Sequence, residues 1–95
     1  MLRCRGHEDR STQSLRRQAL SRALCVESDV TVDLAELVFA DASLMVDLAM
    51  VARRLRKAGR ELSLQGAPPD IGVLIEYVGL HRLSGVKVVP SPAAA

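Results

Sequence analysis

Apolar residues recur along the chain at two different spacings, and the switches between them mark out the elements. Residues 1–13 (MLRCRGHEDRSTQ) show neither the two-residue nor the 3.6-residue period, and with Gly6 and mixed charges they read as a flexible N-terminal tail. From Ser14 the pattern turns helical. Leu15, Ala19, Leu20, Ala23 and Leu24 fall on one side, with Arg16, Arg17, Gln18 and Arg22 on the other, as far as Cys25. After the polar break Glu27-Ser28-Asp29, Val30, Val32 and Leu34 alternate with Thr31 and Asp33, which predicts a strand rich in β-branched residues. A loop then runs through Glu36 and Val38 to Ala40. Asp41 stands at a helix N-cap, where its carboxylate accepts bonds from the first free amides.

The helix predicted over 42–58 is the longest element, with Leu44, Leu48, Val51 and Leu55 in one stripe widened by Met45, Ala49 and Ala52. Val46 and Met50 lie on its exposed flank. Arg53, Arg54, Arg56 and Lys57 fill its last turn before Gly59, and cations complementing the C-terminal end of the helix dipole account for them. Leu62 and Leu64 give a second strand over 61–65, ended by Gly66-Ala67-Pro68-Pro69. Asp70 is expected to cap a short helix carrying Ile71, Leu74, Ile75 and Val78, closed by Gly79. A further turn over 80–83, a short strand over 86–89 and a tail over 90–95 complete the chain. Strands separated by helical crossovers imply parallel neighbours joined in the right-handed sense, so the class is α/β, with the domain itself at 14–89.

Composition narrows the function. Ninety-five residues permit one domain, and 48% apolar with 25% charged residues is ordinary globular usage. One Phe, one Tyr and no Trp are too few aromatics for a base-stacking platform, and a net charge of +2 is too mild to argue for a polyanion, so no direct nucleic-acid partner is expected. Cys4 and Cys25 lack CxxC or metal-ligand spacing, and His7 and His81 are isolated, so reduced thiols and no metal are expected. The N-terminal arginines have no apolar run behind them, and Glu36, Asp41 and Asp47 interrupt the most apolar stretch. A cytoplasmic protein without signal peptide or membrane insertion is therefore expected.

No enzyme signature is present. None of the glycines is spaced as a phosphate-binding loop, and Ser43 has His81 as its only candidate base, so neither catalysis nor a cofactor is expected. The most informative stretch joins Asp33, read as the C-terminal end of a strand, to the triplet Asp41-Ala42-Ser43 at a helix start. The C-terminal ends of strands are where function collects in α/β sheets. A phosphate on Ser43 would be favoured by the helix dipole yet repelled by Asp41. Plain helix capping by Asp41 and Ser43 explains the same residues without any function.

The landmarks Val32-Asp33-Leu34-Ala35, Phe39-Ala40-Asp41-Ala42-Ser43, Arg53 to Gly59, Leu62-Ser63-Leu64, Pro68-Pro69 and Ile75 to Leu80 resemble, in order, the STAS domain of bacterial anti-sigma factor antagonists. The likeness covers about 75 of the 95 residues. It implies a small STAS-like sheet with crossover helices and a partner, an anti-sigma factor of GHKL-type kinase fold, which phosphorylates the antagonist and is thereby released. Carried onto this chain, Ser43 is the phosphoacceptor, and Asp33, Asp41, Ala42, Ser43, Leu44 and Met45 form the partner-binding set.

Two departures accompany the likeness. Leu44 stands where the family has Gly, and Ala42 where it has the first serine of a pair. The family also opens with two strands, for which residues 1–13 offer no alternating pattern, so an N-terminally truncated domain is expected, with a bare sheet edge that a partner or a second copy would cover. The alternative function on the same fold is a non-phosphorylated accessory subunit of an ABC lipid-transport or other signalling complex.

Overall fold

The computed structural model describes residues 2–25 and 28–89, so the tail expected over 90–95 lies outside the described residues. Four strands, β1 (Leu2–Glu8), β2 (Val30–Ala40), β3 (Leu62–Gln65) and β4 (Val86–Val89), alternate with three helices. These are α1 (Gln13–Leu24), α2 (Ala42–Lys57) and α3 (Pro69–Tyr77), with short 3₁₀ turns at Arg10–Thr12 and Leu80–Arg82. The strands pair in parallel in the order β1-β2-β3-β4. Successive right-handed crossovers that advance in one direction put all three helices on the same face. Their apolar sides meet the sheet in a single core, where Leu34, Leu44, Leu48, Leu55, Leu62, Leu64, Ile75 and Leu80 are completely or almost completely buried.

The opposite face of the sheet is largely polar, with Phe39 against His7 as an apolar exception, and bears ion pairs between neighbouring chain segments. Arg3 meets Asp33 at 3.7 Å, Arg5 meets Glu36 at 2.8 Å, and Lys87 meets Glu61 at 2.9 Å. All-parallel sheets are usually covered on both faces. Here charged and hydroxylic side chains take the place of a second helical layer.

The α/β class and the order of elements expected from the sequence are those of the structure. The N-terminus is not. Residues 2–8 form a strand whose side chains alternate, with Leu2, Cys4, Gly6 and Glu8 turned inward and Arg3, Arg5 and His7 outward. The alternation escaped notice because the inward positions hold a thiol, a glycine and a carboxylate instead of β-branched residues. Asp9 then caps the 3₁₀ turn, accepting from the Ser11 amide at 2.8 Å while the Asp9 amide donates to Thr12 Oγ1 at 3.1 Å. One strand thus precedes α1, and it occupies the flank of β2 that was expected to be bare. The open edge on that side of the sheet is therefore that of β1, not of β2.

The second correction concerns β2, which continues to Ala40 where a loop was expected after Leu34. Its register against β1 shifts between Arg3 and Arg5 and again between Gly6 and His7. Each shift is a bulge that takes one extra residue on β2, so the inward positions run Val30, Val32, Leu34, then Leu37, then Ala40. A strand whose period changes from two to three looks like a loop in sequence. Gly6 lies at the second shift with φ of +61°, a conformation that β-carbon sterics disfavour for other residues.

α1 is rotated from its expected orientation. Leu15 is 73% exposed, whereas Arg16 is buried beside Leu20. In α3 the N-cap position belongs to Pro68, with Pro69 in the first turn, and Asp70 lies one residue inside the helix instead of capping it. Gly79, at φ of +77°, takes the left-handed turn that ends this segment.

Both cysteines are free thiols. Burial pushes the Cys4 thiol up to about 11, while Cys25 is exposed at the end of α1. A thiol that titrates this high is scarcely ionised at pH 8, so alkylation of Cys4 should run at least ~10-fold slower than that of Cys25. Peptide mass spectrometry after brief iodoacetamide treatment checks this, because a flexible tail over residues 1–13 would label at both sites equally.

Candidate functional site

The site grows from the first turn of α2. Asp41 holds the N-cap in extended conformation, and its Oδ1 accepts from the Ser43 amide at 2.9 Å and from the Ser43 hydroxyl. That hydroxyl bond, with the amide bond, holds the Asp41 carboxyl below its usual value of 3.8. The Asp41 amide donates to the Glu8 carbonyl at 3.2 Å, which clips the end of β1 to the start of α2.

Arg16 completes the arrangement from α1. Its Nη2 donates to Ser43 Oγ at 3.1 Å, its Nε to Asp47 Oδ2 at 2.8 Å and its Nη1 to Glu8 Oε1 at 2.9 Å. Asp47 also accepts from Arg17 Nε at 3.1 Å through its other oxygen. The Arg16 side chain is 4% exposed and that of Asp47 2%, so this is a buried ionic cluster joining β1, α1 and α2. Burial alone would lower the basicity of Arg16, but its bonds to Glu8 and Asp47 prevail and hold it above the ordinary arginine value. Acceptors placed on all three nitrogens of a planar fork suit a guanidinium and would not suit an ammonium.

The predicted partner-binding residues separate into three groups. Asp41, Ala42 and Ser43 share the helix terminus, with Ala42 exposed and the other two half-buried. Leu44 is completely buried in the core, so its side chain does not obstruct the surface as an outward leucine would. Met45 is 3% exposed and forms the floor of a groove between α2 and the α3 side. Asp33 does not belong to the site. The bulged extension of β2 sets it roughly 17 Å along the strand from Ala40, on the outer sheet face, where it pairs with Arg3 and accepts from the Ala35 amide.

The groove beside Ser43 is almost wholly apolar. Ala42, Val46 and Ala49 of α2 form one wall, Val78 and Leu83 the other, with Leu80 beside Met45 beneath, enclosing about 180 Å³. Val46 is 54% exposed and Met50 48%, so the flank of α2 expected to face solvent does so. The sequence reading missed Arg16, Glu8 and Asp47. The only available signal was the lone aspartate inside the otherwise carboxylate-free, apolar half of α2, which needed a cation from elsewhere in the chain.

A single helical layer on a parallel sheet, with an apolar groove beside a capped helix start, describes a small binding domain. The chain belongs to the STAS family: the family model STAS_2, described as "Mlab, STAS domain", matches residues 1–90. The match includes the N-terminal strand. A comparison with curated proteins returned no match. STAS domains are in general binding and regulatory modules, not catalysts. Among the described residues no helix is long and apolar enough to cross a membrane.

Breaking the buried cluster should be costly. Arg16→Met leaves Glu8 and Asp47 without their guanidinium and should lower stability by about 3–5 kcal/mol in denaturant titration. Leu44→Ala should cost about 2–5 kcal/mol through its cavity, whereas Val46→Ser on the surface should stay within about 0.5 kcal/mol. Comparable costs for Leu44→Ala and Val46→Ser would contradict the assignment of Leu44 to the core.

Proposed function

We propose that this chain is a regulatory protein of the anti-sigma factor antagonist type, which captures its partner through the start of α2 and the adjoining apolar groove. The partner is an anti-sigma factor of GHKL-type kinase fold, and capture frees the sigma factor for transcription. Ser43 is the switch. The observation that carries this reading is the place of Ser43: it lies at a helix N-terminus, in a pocket with Arg10, Gln13 and Asp41 that shares Ala42 and Val46 with the apolar groove. A dianion there would oppose docking by desolvation and by repulsion of acidic groups on the partner. Leu44, turned into the core, leaves that rim free for the kinase.

A second reading is favoured by two observations. The matching family is described by its MlaB member, and the Ser43 hydroxyl is engaged by both Asp41 and Arg16. On this reading the chain is a non-phosphorylated accessory subunit of an ABC lipid-transport or other signalling complex, and Ser43 serves only to hold Asp41 and Arg16 at the start of α2. The same groove would receive the partner.

Affinity capture from a lysate of the native cells, comparing wild type, Ser43→Asp and Val46→Asp, separates the two. Recovery of a GHKL-type ATPase by wild type, reduced at least ~10-fold by either substitution, is the expected result. Recovery of a transporter ATPase by wild type and Ser43→Asp alike, lost only with Val46→Asp, would overturn the switch and establish the accessory reading.

A further inference from the structure

Resting on the Ser43 switch proposed above, we propose that Arg16 is its receiver. A phosphoryl group on Ser43 draws the Arg16 guanidinium away from Asp47 and Glu8, and thereby loosens β1 and α1 from α2. The modification itself forms an Oγ–P bond as the β–γ phosphoanhydride bond of a nucleoside triphosphate breaks. Nucleoside diphosphate leaves, and the hydroxyl proton passes to a base of the kinase.

The geometry for this exchange is already assembled. Arg16 Nη2 is 3.1 Å from the oxygen that would carry the phosphorus, so the guanidinium needs no large movement to reach phosphate oxygens. A phosphate dianion offers three strong acceptors and binds a guanidinium through two parallel bonds, which a single carboxylate oxygen on each nitrogen does not match. Asp41, at the same helix start, is repelled by the new charge and gives no compensation.

Charge balance decides which bonds give way. In the unmodified protein Arg16 and Arg17 carry two positive charges against the two negative charges of Glu8 and Asp47. Adding a dianion overloads the cluster, and Arg16 is the member bonded to the Ser43 hydroxyl, while Arg10, outside the cluster, lines the same pocket. Asp47 can release it, because Arg17 remains on its other oxygen at 3.1 Å. The groove between α1 and α2, about 200 Å³ and lined by Arg17, Asp47 and Met50, lets water reach the vacated carboxylate. Glu8 fares worse, since it keeps only the Thr12 hydroxyl at 3.1 Å.

Loosening then falls on the least supported part of the fold. β1 is an edge strand with β2 as its only sheet neighbour, and its last residue, Glu8, is the one deprived of Arg16. The switch would thus act at two places: at the groove by charge, and at the β1–α1 edge by loss of an ionic clamp.

The test installs phosphoserine at position 43 of the full chain by genetic encoding, so that neither a kinase nor a partner is required. Amide hydrogen exchange should be at least ~10-fold faster across β1 and the first turns of α1, with β3 unchanged as internal control. Phosphorus NMR should place the second ionisation of the phosphate below its ordinary value of about 6. Arg16→Lys should abolish most of both effects. If Arg16→Lys does not fold, the Arg16 guanidinium nitrogens are followed directly by NMR in the phosphorylated wild type, and an Nε–H that stays bonded to Asp47 overturns the role of Arg16. Unchanged or slower exchange in β1 and α1 would overturn the role of Arg16, as would faster exchange that persists in Arg16→Lys. A failure to find any kinase would instead count against the switch, while leaving this result intact.

Discussion

Removing a guanidinium from water is unfavourable unless each of its donors meets an acceptor, and the arrangement of this domain around Arg16 follows from that constraint. Its acceptors come from the end of β1, the Asp9 carbonyl after it, and two positions one turn apart on α2. Satisfying them requires that β1 run far enough to deliver Glu8. It also requires that α1 turn Arg16, and not Leu15, toward the sheet, and that α2 begin at Asp41 so that Ser43 and Asp47 share a side. Fold and site are consequently one assembly. The hydroxyl proposed as the switch is a ligand of the side chain that joins three elements.

The other half of the site is built from ordinary packing. α2 buries Leu44, Leu48, Val51 and Leu55 against the sheet and leaves Ala42, Val46 and Ala49 to line a groove with Val78 and Leu83. The small residues on α2 keep that groove open, and the apolar rim has no polar group to satisfy when a partner covers it. A capped helix start therefore offers direction and charge sensitivity, and the groove offers area. Membership of the STAS family agrees with a surface of this kind, because such domains have a general binding and regulatory role.

How much of this was legible in the sequence depended on which interactions left a periodic trace. α2 and β3 were legible because their stripes are long or strictly alternating, and Asp41 was legible because a cap residue has a local signature. β2 was legible only to Leu34. Beyond that point two bulges change the spacing of its inward residues, and nothing local distinguishes a bulge from a loop. β1 failed for a different reason. Its inward face holds Cys4, Gly6 and Glu8, which become comprehensible only when Arg16 and the sheet are present. The orientation of α1 was misread because hydropathy places an arginine outside, whereas two carboxylates distant in sequence place this one inside. Leu44 and Met45 were assigned to the surface by resemblance, although their own helical spacing with Leu48 and Ala52 pointed inward.

The order of the strands in space repeats their order along the chain, and this bears on how the molecule is made. A chain that leaves the ribosome N-terminus first presents β1 and α1 first, then β2 and α2, and each later strand adds to one advancing edge. No strand has to insert between two already paired. The early stretch is also the one whose ionic clamp cannot close until Asp47 has emerged, so β1 must wait for α2 before it is secured. From there onward β3, α3 and β4 can condense in the sequence in which they are synthesised, with α2 already in place to receive them.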